Sequence, residues 1–109
     1  MTDKRIVFTT VGSRDDAKSI AQTLVGRELV ACVNIVEKIE SIYRWEGRIT
    51  GAIEWLLIIK TTESAFEHVR QAIKELHPYD VPEIISIAVQ DGSAEYLQWI
   101  EENSKAPTS

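Results

Sequence analysis

Leu29-Val30-Ala31-Cys32-Val33-Asn34-Ile35-Val36 is the stretch on which the fold turns. Only Asn34 in it is polar, a pattern that suits a strand covered on both faces. Beyond it the pattern changes. From Ile39 to Glu46 the apolar Ile39, Tyr43 and Trp45 are interleaved with Glu40, Arg44 and Glu46. This reads as the same strand running on past the core. Trp45-Glu46-Gly47-Arg48 then makes the tip of a hairpin. Ile53 to Thr61 returns as a strand with a solid Trp55-Leu56-Leu57-Ile58-Ile59 centre.

Working outward toward the N-terminus, Ile6 to Val11 is β-branched and aromatic-rich, and Gly12-Ser13 stops it. Ser13 with Asp16 three residues later is a capping-box variant that opens a helix. Ala17, Ile20, Ala21, Leu24 and Val25 supply its apolar face, and its end falls between Gly26 and Glu28. On the other side, Thr62 or its neighbour caps a second helix with Phe66, Val69, Ile73 and Leu76 at helical spacing. Pro78 ends that helix, because a residue before proline is pushed out of the α region. Ile84 to Val89 is a short apolar run between Pro82 and Asp91-Gly92 and is expected as a central strand. Ser93 starts a last helix carrying Tyr96, Leu97, Trp99 and Ile100.

The order β-α-β-β-α-β plus a C-terminal helix is the split βαβ, ferredoxin-like arrangement of the α+β class, an α/β sandwich. The expected organisation is one domain over 1–103 and a flexible tail over 104–109. A chain of 109 residues carries one core, and its 44% hydrophobic and 27% charged residues are ordinary for a globular domain. A net charge of −5 with no block of Lys or Arg gives no footprint for nucleic acid or for an anionic membrane. The apolar runs are far below the roughly 20 residues of a membrane span. Met1 to Arg5 leads straight into the first strand, with no signal-peptide pattern, and the single cysteine excludes an internal disulfide. A cytoplasmic location is the expectation.

A two-layer sandwich leaves one sheet face bare unless something covers it. Residues 29–36 and 55–59 are apolar at successive positions, so both faces are greasy, and the hairpin adds Tyr43 and Trp45 beyond the core. Self-assembly through these residues is expected. The competing reading is that the last helix alone folds back over the second face.

Five segments together resemble one family. Ala31-Cys32-Val33-Asn34-Ile35, Ser41-Ile42-Tyr43-Arg44-Trp45-Glu46-Gly47 and Leu57-Ile58-Ile59-Lys60-Thr61-Thr62 are similar to the middle of CutA proteins, the divalent-ion tolerance family. Leu76-His77-Pro78-Tyr79-Asp80-Val81-Pro82-Glu83-Ile84 resembles its second signature, and Tyr96-Leu97-Gln98-Trp99-Ile100 its C-terminal one. The match is collinear from about Ile6 to Asn103. The resemblance implies a ferredoxin-like subunit in a tight homotrimer, with strands of neighbouring subunits joined edge to edge, as in PII-like signalling proteins. It also implies a role in metal-ion response with binding of copper or another divalent cation. Some relatives have a cysteine on the first strand and a His-His pair as the proposed copper site. Here Thr9 and Leu76 stand at two of those positions and only His77 remains.

His77 is accordingly the leading metal candidate, beside Tyr79 and Glu83, since imidazole suits copper or zinc. Its structural reading, a histidine donating to the last carbonyls of its helix, weighs more from the residues alone. Cys32 is a soft-metal candidate, although a cysteine in an apolar strand usually packs as an inert hydrophobe. His68, mid-helix among charges, reads as solvated. Lys60, Glu54 and Tyr79 are candidates for a small-ligand cleft between subunits, with Lys60 the best placed at a strand end. Tyr43 and Trp45 read as trimer-interface anchors. No nucleophile–base pattern, Walker sequence or dinucleotide fingerprint is present, so no catalytic residue is assigned, no enzyme is expected and no organic cofactor is implied. The expected function is a trimeric divalent-cation tolerance protein that binds copper or another divalent metal. The alternative is a PII-like trimer that senses a small molecule or protein partner.

Overall fold

The structure is a computed structural model that describes residues 1–107. Seven elements follow one another: β1 (Lys4–Val11), α1 (Arg14–Gly26), β2 (Cys32–Trp45), β3 (Arg48–Thr62), α2 (Phe66–Leu76), β4 (Ile85–Ala88) and α3 (Ala94–Asn103). The strands form one antiparallel sheet in the order β2-β3-β1-β4. This is the expected α+β sandwich.

The helices start and stop for local reasons. Ser13 is extended and its hydroxyl accepts the Asp16 N–H at 3.1 Å, so it caps α1. At the other end the chain turns through Arg27 and Glu28, whose φ of 60° is left-handed. The Thr62 hydroxyl accepts the Ala65 N–H at 3.3 Å just before α2 begins at Phe66. His77, extended at ψ 134°, ends α2 one residue before Pro78.

Alternation along β1 and β3 sorts the sheet into two faces. Val7, Thr9 and Val11 of β1, with Leu57 and Ile59 of β3, are fully buried under α1 and α2. Ile20 and Leu24 of α1 and Val69 and Ile73 of α2 meet them there. Each of the aliphatic side chains among them contributes about 1.5–3 kcal/mol by leaving water. The other face carries Ile6, Phe8, Leu56, Ile58, Asn34, Val36, Ile85 and Ile87, as the strand registers require. On it α3 covers only one end, where Lys4 pairs with Glu101 at 3.4 Å and Lys60 lies 5.8 Å from the Tyr96 ring centroid. Val36 (40%), Ile85 (52%) and Ile87 (46%) stay exposed. The last helix therefore does not close the second face.

Two strand assignments change. Ile84–Val89 was expected as a central strand, but β4 is a four-residue edge strand paired only with β1. A continuous apolar run reports that both faces are greasy, not how many strands flank it. The Leu29–Val36 stretch is also not a strand throughout. Leu29, Val30 and Ala31 are buried, pinned by Ala31 N–H to the Lys60 carbonyl (2.9 Å) and by the Thr61 hydroxyl to the Leu29 carbonyl (2.8 Å). The strand starts at Cys32 and forms the second edge of the sheet, so a single chain does not cover both its faces.

The β2–β3 hairpin runs well past the core. A register shift between Val36 and Ile39, with Lys38 at φ 56°, marks where it leaves the sheet body. At its tip Glu46 and Gly47 both have positive φ, 50° and 77°, the backbone of a tight type I′ turn. The stretch expected as a loose tail, 104–109, is anchored where it begins. Ser104 is buried and the Lys105 N–H donates to the Glu28 carbonyl at 2.8 Å. Thr108 and Ser109 lie outside the described residues.

Candidate functional site

The ladder between β1 and β3 ends at the pair Val11–Trp55, so Gly12 and Glu54 stand one position beyond it. The loop after α2 folds onto this end of the sheet through two side chains. His77 Nδ1 accepts the Tyr79 N–H at 3.1 Å, which leaves the ring proton on Nε2. Nε2 then donates to the Thr10 carbonyl at 2.7 Å. The ring is buried, 4.7 Å from the Tyr79 ring. Tyr79 in turn donates its hydroxyl to Glu54 Oε2 at 3.0 Å. Burial, and next the Glu54 carboxylate, push the Tyr79 phenol up to about 12. Gly12 makes room for this contact, since a Cβ there would lie 3.2 Å from the Tyr79 oxygen. Sequence reasoning singled out His77, Glu54 and Tyr79. It did not find Thr10 and Gly12, because a backbone carbonyl and a missing Cβ carry no chemical signature.

The other sequence candidates lie elsewhere. Lys60 is six residues along β3 from Glu54, about 20 Å in an extended strand. Its ammonium donates to Asn34 Oδ1 at 2.6 Å. Cys32 is its cross-strand partner, half-buried on the open face and with no disulfide. This corrects the core placement expected for the thiol. Glu83 is exposed. Among the described residues no group of three or more His, Cys, Asp or Glu side chains is placed to hold a metal ion. His77, Cys32 and Glu83 therefore do not make a metal site within one chain. The expectation that His77 donates to the last carbonyls of its own helix is not met: its ring donates to Thr10 of β1, a residue distant in sequence. His68 is half-buried beside a shallow groove with Arg27, Gln71 and Glu75.

The hairpin side chains stand in the open. Trp45 is 66% exposed and Tyr43 44%, with Ile42, Ile49 and Ile53 also exposed around them.

A model of the CutA1 divalent ion tolerance protein family matches residues 5–103. The chain belongs to the CutA family. The divalent-cation tolerance protein CutA of Thermus thermophilus is 46% identical over 101 residues, covering 93% of this chain and 98% of the relative. The chloroplastic protein CutA of Arabidopsis thaliana is 42% identical over 92% of this chain, which spans 55% of that relative. Among solved structures, the Thermus divalent cation tolerance protein superposes with a TM-score of 0.91 at 45% identity over 94% of this chain and 99% of its own. The periplasmic divalent cation tolerance protein CutA of Archaeoglobus fulgidus gives 0.90 at 37% identity, over 94% and 99%. CutA relatives thus carry both chloroplastic and periplasmic names.

Proposed function

We propose that this CutA chain works as a homotrimeric, non-enzymatic binding protein of the divalent-cation tolerance response, located in the cytoplasm. Copper or another divalent cation binds in sites completed between copies. The observation that supports this best is the uncovered apolar surface. The open sheet face and the projecting hairpin together expose Val36, Ile85, Ile87, Ile42, Trp45 and Ile49. An apolar surface of this extent is an interface. Among the described residues both sheet edges, β2 and β4, also end the sheet without a neighbour, and each can pair with an edge of another copy.

The metal part of the reading draws on the names of the relatives and on Cys32, a half-exposed thiol on the face that assembly covers. Three-fold symmetry multiplies a donor that is insufficient alone. His77 enters such a site only by giving up the Tyr79 amide at Nδ1. Calorimetric titration with Cu²⁺ tests this. Cys32→Ser is expected to abolish the tight sites, and His77→Ala to leave the number of copper ions bound unchanged. Equal binding by the wild type and Cys32→Ser contradicts the role given to the thiol.

A second reading has its own observation: the Glu54–Tyr79 pair gives a polar corner suited to a small molecule. It supports a PII-like sensor of a metabolite or protein partner. A thermal-shift screen against nucleotides and small metabolites checks it; a flat screen counts against the small-molecule form.

A further inference from the structure

The chain leaving α3 is fixed as soon as the helix stops. The Asn103 side-chain amide donates to the Trp99 carbonyl at 2.9 Å, which sets the exit from the last turn. Ser104 follows at 4% exposure, its hydroxyl sealed and without a partner among the described residues. A hydroxyl hidden in this way costs free energy, so contacts on either side of it hold it there. The next contact is the Lys105 N–H, which donates to the Glu28 carbonyl at 2.8 Å. Ala106 is then half-buried, and Pro107 reaches the shallow groove that Leu29, His68 and Ala72 also line.

The anchor on the other side is firm. Glu28 has a φ of 60°, a left-handed backbone that a residue with a side chain keeps only where its surroundings hold it. Directly after it, the Leu29 carbonyl accepts the Thr61 hydroxyl at 2.8 Å, and the Ala31 N–H donates to the Lys60 carbonyl at 2.9 Å. The sheet thus keeps the Glu28 carbonyl in place for the segment that meets it.

The helix at the near end has little hold of its own. α3 is 10 residues long, and its N-cap Ser93 makes no side-chain capping bond. A helix shorter than about 12 residues is marginal by itself and depends on what fastens it. α3 lies on the open face, with Tyr96 over Lys60 and Glu101 beside Lys4, whereas Leu29 and Ala72 belong to the core on the helix side. Residues 104–107 therefore join the two sides of the sheet.

We infer that residues 104–107 are a latch, which holds α3 against the sheet by fastening its C-terminal end to the turn between α1 and β2. Releasing the Lys105–Glu28 bond lets α3 open. The latch is built from contacts made within one chain, and its fastening points lie away from the open face and the hairpin. Neither copper nor the number of copies enters it.

Amide hydrogen exchange of the full chain, residue by residue, tests the latch. Lys105→Pro removes the donor N–H, and the extended Ser104 accepts a following proline. It is expected to speed exchange of the Trp99, Ile100 and Glu101 amides about fivefold. Ser104→Asp puts a charge where the hydroxyl is sealed and should speed them at least as much. Lys105→Ala keeps the N–H, and Ser104→Ala removes only the orphan hydroxyl, so both should stay within about twofold of the wild type. The Ile20, Leu24 and Ile73 amides should be unchanged in all four variants. Three results overturn the proposal: α3 exchange in Lys105→Pro within about twofold of the wild type, equal acceleration by Lys105→Ala, or a uniform acceleration through α1, α2 and α3.

Discussion

His77 joins three parts of the chain with one ring: α2, which it terminates, β1 through Thr10, and the following loop through Tyr79. Removing it takes the ring partner from the Thr10 carbonyl and the Tyr79 amide and empties the space of a buried side chain. His77→Ala is therefore expected to lower unfolding stability by about 2–4 kcal/mol, read from urea denaturation of the metal-free protein. A loss below about 0.5 kcal/mol contradicts the anchoring role. Tyr79 carries the pH dependence. Its phenol ionises at 10.0 unperturbed and about 12 in the fold, so the folded state favours the protonated form. The stabilisation is complete below the unfolded value and is lost as pH rises between about 10 and about 12. Tyrosinate absorbance should show one late-titrating phenol that disappears in Tyr79→Phe, and the mutant's stability should fall less across that window. At this scale the sequence showed which side chains mattered and not what they touch. The His77–Thr10 contact spans 67 residues, and no local pattern encodes it.

Elements were more legible than contacts, because periodicity and caps are local. Ser13 and Asp16 marked the start of α1, Pro78 the end of α2, and Glu46-Gly47 the hairpin turn, each through backbone chemistry readable in a few residues. Ser13→Ala should cost about 1 kcal/mol in a denaturant melt, the usual worth of a capping hydroxyl. No change would mean that water replaces the cap. The strands at the two edges were harder to read. Ile84–Val89 and Leu29–Val36 look like central strands because they are apolar on both faces. In one chain β4 and β2 lie at the rims of the sheet, with Ile85, Ile87 and Val36 uncovered. The discrepancy supports the proposed assembly, since an apolar edge strand presents unpaired backbone groups that an edge of another copy can meet.

The whole molecule is elongated, 44 × 29 × 22 Å, because the hairpin leaves the core behind. Trp45 sits at its far end and packs against little of its own chain. Trp45→Ala should leave the circular dichroism of the fold intact and shift the self-association equilibrium toward smaller species, measured by sedimentation over a dilution series. A mutant that associates as strongly as the wild type places the interface elsewhere. The family and the fold were visible in the sequence through five collinear segments. A metal site was not, since among the described residues His77, Cys32 and Glu83 form no group of three donors within one chain, and the proposed site needs donors from several copies. Native mass spectrometry of metal-free protein, before and after Cu²⁺, tests that claim most directly. A species of three times the 12.3 kDa of one chain, gaining copper in multiples of three, is the predicted result. A monomer, or a trimer with only scattered copper adducts, contradicts it.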